Sequence, residues 1–371
     1  MTPMETSGND AASLVFAGDM AWPAPDVLDC AALRAALAGA AVVANLEGPL
    51  IDAAPEDCAV HNEHKFNLYS HGSVVPTLQQ LNVVACGLAN NHISDYVGGV
   101  ARSKAALAQA GIQAFGTRQS PFCVLQWGGR QLVLVGACSP LPEPLDERGA
   151  DAALVFDPPA LLALVKRLRR DYPAARLVAF MHWGYELARY PQPADREWAR
   201  RAVEAGADYV IGHHPHLVQG LERHGAGVIA YSLGNFLLPQ VAYRGRVLRY
   251  KTDAVGEQLL LALTGEGLQA RWWRYLPAEG RLADEGGGPA EHDARLKART
   301  PFAGMDDAAY RRWFAAEGQF GTELGRRAGP TFWSYRGWGR VDTGLKFGLL
   351  NLKRRVRKLA IAAGLHKPYN W

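Results

Sequence analysis

The chain has 371 residues, of which 49% are hydrophobic and 20% are charged, and its formal net charge is +4. This composition is typical of a globular protein and excludes disorder of the whole chain. The length suffices for one large domain or two average domains with a buried core. No apolar run reaches the roughly 18 residues of a membrane-spanning helix. Residues 1–10 lack the pattern of a secretory signal, and we expect them to form a flexible leader.

Cysteine usage and the distribution of charge narrow the class of protein further. The five cysteines are scattered, odd in number and without a Cys-x-x-Cys pair, which indicates reduced thiols in a cytoplasmic protein. Residues 343–371 carry seven Lys and Arg and no acidic residue, so the rest of the chain has a net charge of −3. A weakly acidic body argues against a protein that coats nucleic acid.

The predicted elements alternate between strands and helices over the first 215 residues, after which strands follow one another directly. The predicted strands lie at 13–18, 41–46, 83–88, 113–115, 122–127, 131–137, 176–181, 209–211, 227–233, 258–263 and 268–275. The predicted helices lie between them, at 28–39, 73–81, 97–110, 159–170 and 195–205. This order predicts a mixed α/β fold.

The core domain is predicted to span residues 11–276. Beyond residue 277 the pattern gives way to Gly, Pro and Glu, as in Ala283-Asp-Glu-Gly-Gly-Gly-Pro289. We therefore expect the edge of the core there, followed by an irregular or helical extension over 277–330. Residues 331–371 are predicted to contain an aromatic linker and a basic amphipathic helix.

Polar clusters follow the predicted strands at the points where open α/β sheets place their ligand sites. The most specific cluster is Gly212-His213-His214-Pro215-His216, since three imidazoles on a sharp turn can point into one small volume. The alternative is a polar surface turn. Met181-His182 and Asn90-Asn91-His92 follow two other strands. A lone histidine at such a position is more often structural, but these clusters recur at the same kind of position.

Two carboxylates at further strand ends complete the candidate site. Asp19 follows the first strand and Glu47 follows the second. Together the Asp, Glu, Asn and His side chains are ligands suited to Mn, Zn or Fe. They exceed the needs of one ion, and two ions about 3.5–4 Å apart would generate a hydroxide nucleophile and clamp the oxygens of a reacting centre. The pattern favours hydrolysis over redox chemistry, because no flavin or dinucleotide signature is present.

Weaker candidates surround this set. Tyr185 and Glu186 follow the His182 motif and either line the site and bind substrate or lie in a surface loop. Asn235, in Ser-Leu-Gly-Asn-Phe, either orients substrate or caps a turn.

The order of the motifs GD, NLEGP, LANNHISDYVGG, HWGYEL, GADYVIGHHPHLVQ and YSLGNF resembles the CapA family of poly-γ-glutamate capsule synthesis proteins, within the calcineurin-like metallophosphoesterase superfamily. The resemblance runs from about Leu14 to Phe236. It implies a four-layer α/β/β/α sandwich of metallophosphoesterase type, here with a C-terminal extension, and two divalent ions at the strand ends. The implied metal ligands are Asp19, Glu47, Asn91, His182, His214 and His216.

The resemblance also implies catalytic roles. Asn91 and His92 match an Asn-His pair in which the histidine donates a proton to the leaving group, and Asp95 is expected to support the His92 loop. His213 is an additional neighbour that could replace a missing ligand or take part in catalysis. Two positions depart from the superfamily: Ala21 stands where a ligand histidine is usual, and Glu47 stands where an aspartate is usual. One ion instead of two is therefore an open alternative, and the N-terminal anchor of many CapA proteins is not visible.

These features lead to two functional hypotheses. The first is a metal-dependent hydrolase or transfer enzyme of CapA type that acts on a phosphate ester or on an acyl or amide centre, including a γ-glutamyl one, in an anionic small molecule or polymer. The second is a metal-containing accessory protein without turnover that binds an anionic polymer or a synthase partner. Nucleic acid is not an expected partner of either.

The tail adds one prediction of its own. Leu345, Leu349, Leu352, Val356, Leu359 and Ala363 recur at spacings of four and three residues, and most of the basic residues lie elsewhere on the helical wheel. Residues 343–363 could bind the inner membrane surface or an acidic partner, or could pack against the body as an ordinary C-terminal helix.

Overall fold

The computed structural model describes residues 13–63, 65–139, 152–250 and 252–317, together with residues 341, 345, 348–349, 352–353, 355–357, 359–360, 363 and 365. The predicted leader at 1–10 and most of the aromatic linker lie outside the described residues.

The strands of the described part fall into two large sheets and two short pairs. In chain order they are β1 (Ser13–Met20), β2 (Ala40–Leu46), β3 (Leu50–Ile51), β4 (Ser70–His71), β5 (Val83–Gly87), β6 (Gln113–Phe115), β7 (Phe122–Trp127), β8 (Arg130–Cys138), β9 (Arg176–His182), β10 (Tyr209–His213), β11 (Leu221–His224), β12 (Gly227–Ala230), β13 (Ala242–Tyr243), β14 (Arg246–Val247), β15 (Glu257–Thr264), β16 (Gly267–Leu276) and β17 (Arg281–Pro289).

The helices connect these strands along the outside of the molecule. They are α1 (Ala31–Ala36), α2 (Val75–Gln80), α3 (Gly99–Gln109), α4 (Pro158–Asp171), α5 (Pro193–Glu204), α6 (Ala294–Ala298) and α7 (Asp307–Ala316), with short 3-10 turns at Pro25–Val27, Gly72–Val74, Asp253–Gly256 and Ala290–His292. Proline begins α4 and α5. Its missing N–H has no cost there, because the first N–H groups of a helix have no acceptor within the helix.

The first sheet has seven strands in the order β17-β16-β15-β1-β2-β5-β6. Strands β1, β2, β5 and β6 pair in parallel, and β15 to β17 add an antiparallel meander on the other side of β1. The second sheet has six strands in the order β11-β12-β10-β9-β8-β7. Its central strands β8, β9, β10 and β12 are parallel, and β7 and β11 pair antiparallel at its edges. The carboxyl ends of the parallel strands therefore lie at one edge of each sheet.

Three buried layers of side chains show how the sheets and helices stack. Within β2, Val43 faces the core between the two sheets, where it shares a cluster with Phe180. The preceding Val42 faces the opposite side and shares a cluster with Leu107 of α3. Beyond the second sheet a third cluster contains Trp198 of α5. Helices thus cover both outer faces of a sheet pair, and the predicted four-layer α/β/β/α sandwich is confirmed.

The elements agree with the sequence patterns in most places. The helix expected over 28–39 is shorter, and β11 and β17 were not predicted. The sheet extends past the expected edge of the core near residue 277, because β17 pairs with β16 along most of its length. Further on, Phe302, Tyr310 and Phe314 are buried in the cluster beneath the second sheet. The described part of the 277–330 extension is therefore packed on the body. The five cysteines are unpaired, as predicted.

Candidate metal centre

Side chains from both sheets meet at the carboxyl ends of the parallel strands. Asp19 lies near the end of β1 and Glu47 directly follows β2, both in the first sheet. His182 is the last residue of β9 and His214 directly follows β10, both in the second sheet. Asn91 lies in the loop after β5. The site is thus built across the two sheets.

The turn after β10 brings two histidines into this site. Gly212 lies so close to the neighbouring strand end that a Cβ there would be 1.9 Å from the carbonyl oxygen of Tyr231. His214 and His216 then adopt positive φ angles of 97° and 57°. Such conformations are unfavourable for residues other than glycine and are concentrated at functional sites. The backbone therefore bends sharply where the ligand prediction places two imidazoles.

The candidate ligands form two groups that share one carboxylate. Glu47, His182 and His214 offer one ligand atom each, and so do Asp19, Glu47 and His216, with the atoms of each group within 4.8 Å of one another. The Glu47 oxygens lie 3.6 Å from Nε2 of His182 and 3.8 Å from Nδ1 of His216. The side-chain oxygen of Asn91 is 2.8 Å from Nε2 of His182 and adds a donor to the first group.

Buried polar atoms without hydrogen-bond partners indicate that divalent cations fit this centre. Both carboxylate oxygens of Glu47 and both ring nitrogens of His214 are buried without a hydrogen-bond partner in the described structure. Burying polar atoms without partners is costly, and native proteins rarely do so. These atoms are oxygen and imidazole nitrogen donors, the ligand types of Zn, Mn and Fe. The residues present therefore fit divalent metal ions.

Burial governs the protonation of the centre in the absence of cations. Burial, reinforced by the charge of Asp19, raises the pKa of Glu47 well above its usual value, and burial raises the pKa of Asp19 to about 7. Burial lowers the pKa of His182 and His214 well below the usual range and that of His216 to about 4. The imidazoles are therefore neutral at pH 7, as metal ligation requires.

Two asparagines that we did not single out as site residues orient the carboxylate of Asp19. The side-chain amide of Asn45 donates to Oδ1 of Asp19 over 2.7 Å, and the backbone N–H of His214 donates to Oδ2 over 3.0 Å. Asn90 in turn donates to the Asn45 side-chain oxygen over 3.3 Å and to the carbonyl of Leu46 over 2.7 Å. Both asparagines stand inside the quoted motifs, so their position beside the ligands was the available signal.

The proton-donor candidate His92 is held by a buried carboxylate. Its Nδ1 lies 2.6 Å from Oδ2 of Asp95, which leaves Nε2 as the nitrogen that can exchange a proton. Asp95 also accepts from Lys65 over 2.9 Å, and Lys65 donates to the backbone carbonyl of Asn91. Although burial alone would raise the pKa of Asp95, Lys65 and His92 hold it below its usual value. Nothing in the sequence distinguishes Lys65 from an ordinary loop lysine.

The structure separates His213 from the other histidines. His213 is the last residue of β10, and its side chain lies on the inter-sheet face, with its ring 4.1 Å from that of Phe180. Its ring nitrogens are 3.2 Å and 3.4 Å from the carbonyl oxygens of Ala17 and Met181. His213 therefore belongs to neither of the two ligand groups found among the described residues.

The three candidate substrate-binding residues have different environments. Asn235 is buried and its side-chain oxygen is 2.9 Å from Nδ1 of His216, so it orients a ligand candidate. Glu186 is half-buried, and its charge contributes to the raised pKa of Glu47, which places it beside the centre. Tyr185 is half-buried in the same loop.

Ala21 lies where the superfamily resemblance leads us to expect a histidine. It is fully buried in an apolar cluster that contains Tyr69, Tyr96 and Tyr243, and its carbonyl accepts a hydrogen bond of 2.7 Å from the Tyr243 hydroxyl. This cluster therefore offers a methyl group and aromatic rings where a further histidine ligand, beyond His182, His214 and His216, was expected.

Comparison with known families shows the family of the chain. A family model described as "Bacterial capsule synthesis protein PGA_cap" matches residues 15–240, which include every candidate ligand. The chain belongs to this PGA_cap family. The match ends before the strands β13 to β17.

Two curated relatives illustrate the PGA_cap likeness. The chain is 27% identical over 194 residues to capsule biosynthesis protein CapA of Bacillus anthracis, covering 48% of this chain and 46% of that protein. It is 30% identical over 186 residues to a probable polyglutamine synthesis accessory protein of Mycobacterium tuberculosis, covering 44% and 48%. The chain thus spans about half the length of these relatives.

Among solved structures, the chain is similar to the 5'-nucleotidase precursor from Thermus thermophilus. The two have 17% sequence identity and a TM-score of 0.40, and the match covers 78% of this chain and 58% of that one. A putative 5'-nucleotidase from Staphylococcus aureus has 12% identity, a TM-score of 0.42 and coverage of 83% and 59%.

Proposed function

We propose that this PGA_cap protein is a metal-dependent hydrolase or transfer enzyme that acts on an anionic substrate, either a phosphate ester or a γ-glutamyl or other acyl centre, in capsule polymer synthesis. The observation that carries the proposal is the pair of buried ligand groups sharing Glu47, whose oxygens lack hydrogen-bond partners among the described residues. Its unpaired cysteines support a reducing, cytoplasmic location.

In this proposal the ligands divide between two positions. Glu47, His182, His214 and the Asn91 oxygen would hold one divalent ion, and Asp19, Glu47 and His216 would hold the other. When bound, such ions supply a hydroxide nucleophile near neutral pH and stabilise negative charge on the reacting oxygens. The second position has one nitrogen donor and lies beside Ala21, so we expect it to bind its ion more weakly.

The chain's own residues would handle the proton. Asp95 accepts from Nδ1 of His92 and holds the ring, so that in the imidazolium form Nε2 of His92 can donate its proton to the leaving group. Lys65 keeps Asp95 ionised, and Asp95 therefore remains an acceptor for His92.

The test begins with metal content. Untagged protein is analysed by elemental mass spectrometry beside Glu47→Ala and His214→Ala. We expect up to two ions per chain in the wild type and fewer in both variants. A metal-free wild type after growth and reconstitution with Mn, Zn and Fe would contradict the proposal.

Turnover is then measured on a panel of phosphate and γ-glutamyl substrates with each metal. We expect His92→Ala to retain its metal and to lose activity by about 10²–10⁴-fold. Metal binding with equal, background rates in the wild type and His92→Ala would instead favour a second function, that of a non-catalytic accessory protein. The apolar surroundings of Ala21 favour that alternative, and the Mycobacterium tuberculosis relative is named an accessory protein.

A further inference from the structure

The described residues near the C-terminus carry most of the large apolar side chains that are exposed in the described part of the chain. Of the nine large hydrophobic side chains that are exposed in the described part of the chain, seven lie between residues 341 and 365. The other two, Val97 and Val247, are isolated on the body. Leu345, Leu352 and Leu359 are 66%, 58% and 70% exposed, so no described part of the protein covers them.

These side chains occupy one face of a helix. The described residues from 341 to 360 are helical. At about 100° per residue, six of the exposed side chains fall within about 80° of the helix circumference. We call this face the apolar stripe; its members are Val341, Leu345, Leu349, Leu352, Val356 and Leu359.

Basic side chains border the apolar stripe on both sides. On the same helical projection Lys353 and Arg355 each lie about 40° beyond an edge of the stripe, and both are exposed. Residues 343–371 contain seven Lys and Arg and no Asp or Glu. The helix therefore combines an uncovered hydrocarbon face with a mainly basic surround, since Asp342 is the only acidic residue in the sequence from 341 to 360.

The charge decides between the surfaces that could cover the stripe. The spacing of four and three residues also suits a coiled coil, but a second copy would bring like charges together, without an acidic residue in 343–371 to pair with them. None of the helices in the described part of the chain could cross a bilayer. An anionic lipid surface offers hydrocarbon for the stripe and negative head groups for its basic borders.

We propose that the described residues between 341 and 360 belong to a membrane-surface helix that docks the protein on anionic lipid. The helix lies in the plane of the interface, with the apolar stripe facing the acyl chains and Lys353 and Arg355 reaching the head groups. This inference is independent of the proposed hydrolase function, because it involves no residue of the metal centre.

Vesicle flotation of the full chain tests the proposal. Vesicles of phosphatidylcholine with about a quarter phosphatidylglycerol are compared with vesicles of phosphatidylcholine alone. We expect binding to the anionic vesicles and at least tenfold less to the neutral ones. Replacing Lys353, Arg355 and Arg357 together by Gln should weaken binding by about fivefold per residue removed.

Removing the apolar stripe while keeping the charge makes the test specific. Leu352→Ser with Val356→Ser should abolish flotation, whereas Val247→Ser, at a valine of similar exposure on the body, should not change it. Circular dichroism and thermal melting should be unchanged in the Ser variants, because Leu352, Val356 and Val247 are exposed.

Three results would overturn the proposal. Equal flotation of the wild type and the double Ser variant would remove the role of the stripe. Binding to soluble polyglutamate that survives the double Ser substitution, without flotation of the wild type, would indicate a polyanion site. Dimerisation in light scattering that the double Ser variant abolishes, without flotation, would show that a second copy covers the stripe.

Discussion

His213 and His214 are neighbours in the sequence and have opposite environments in the fold. His213 continues the alternation of β10 and points between the sheets, whereas His214 lies beyond the strand end, where both of its ring nitrogens lack hydrogen-bond partners in the described structure. The pair therefore offers a matched test of the metal centre within one motif.

We expect His213→Leu to retain the wild-type metal content and to change the free energy of unfolding by about 1–3 kcal/mol, because the substitution repacks a buried site beside Phe180. His214→Leu should lose metal while the metal-free protein remains folded. Elemental analysis and urea denaturation of both variants measure these effects. Loss of metal in His213→Leu alone would restore the role that the motif first suggested.

Lys65 is the residue whose role emerges only from the structure. It joins two parts of the loop that carries His92, through the Asp95 carboxylate and the Asn91 carbonyl. The pKa of Asp95 is held below its usual value, so its contribution to stability is present above pH 4 and is lost as the pH falls through the folded-state pKa.

We expect Lys65→Met to destabilise the protein by about 1–3 kcal/mol at pH 7, since the buried Asp95 loses a charged partner. The acid limb of the stability curve should move to higher pH, because the pKa of Asp95 rises. Lys65→Arg should keep most of the wild-type stability at pH 7 and leave the acid limb close to its wild-type position. Urea denaturation from pH 3 to pH 8 measures them, and an unchanged acid limb in Lys65→Met would contradict this role.

The candidate ligands were accessible from the sequence because each stands at or after a strand end within a short motif. The resemblance added which of these side chains are expected to be ligands, which the residue types alone left open. Lys65 was inaccessible because it meets Asp95 across 30 residues of chain, and no local pattern marks such a contact. His213 could have been excluded by the alternation of side chains along β10.

At the level of elements, the boundary of the core was the least predictable feature. Strand β17 reads Arg-Leu-Ala-Asp-Glu-Gly-Gly-Gly-Pro, which has low strand propensity. It forms because β16 supplies the pairing. A Cβ at Gly287 would be 2.1 Å from the carbonyl of Ala270, so the glycine that weakens the sequence signal is needed for the close approach of the two strands.

Helix α7 packs on the outer face of the second sheet. The Tyr310 hydroxyl donates to the carbonyl of Pro191 over 2.7 Å, and the guanidinium of the buried Arg196 lies 4.6 Å from the Tyr310 ring centroid. Arg196 also donates to Glu222 and to the carbonyl of Met305. The segment after residue 277 therefore satisfies a buried charge in the core.

A chain that ends at Leu276 should consequently fail to fold stably. Removing Phe302, Tyr310 and Phe314 forfeits about 5–9 kcal/mol of apolar burial, which is comparable with the total stability of about 5–15 kcal/mol of ordinary proteins. A chain that ends at Glu317 is the control and should melt within a few degrees of the full chain. A cooperative melt of the shorter chain at a similar temperature would show that the core ends where the sequence pattern does.

At the scale of the whole molecule, the metal centre joins the two sheets. Asp19 and Glu47 come from the first sheet, and His182, His214 and His216 come from the second. Ions bound here would cross-link the layers, and since the site does not exist in the unfolded chain, binding would stabilise the fold by mass action.

The pH dependence of this stabilisation follows from the shifted pKa values. In the metal-free protein the lowered pKa of His216, about 4, removes stability as the pH falls below the ordinary histidine value of about 6.5. The raised pKa of Asp19, about 7, acts in the opposite sense, because the folded state then binds more protons than the unfolded state and stability falls as the pH rises from about 4 to 7. Bound ions relieve this second loss by neutralising the carboxylates.

We therefore expect the melting temperature gained on adding Mn or Zn to increase from pH 6 to pH 8, with affinity rising up to about tenfold per pH unit for each proton displaced. Glu47→Gln separates the two effects. Its metal-free form should be more stable than the metal-free wild type at pH 8, because an amide avoids the cost of keeping a buried carboxyl beside Asp19 either protonated or ionised, yet it should gain little from metal. Calorimetry with and without chelator at each pH measures both. A gain that is equal at pH 6 and pH 8 would mean that the ions do not displace protons from Asp19 and Glu47, and would place them elsewhere on the protein.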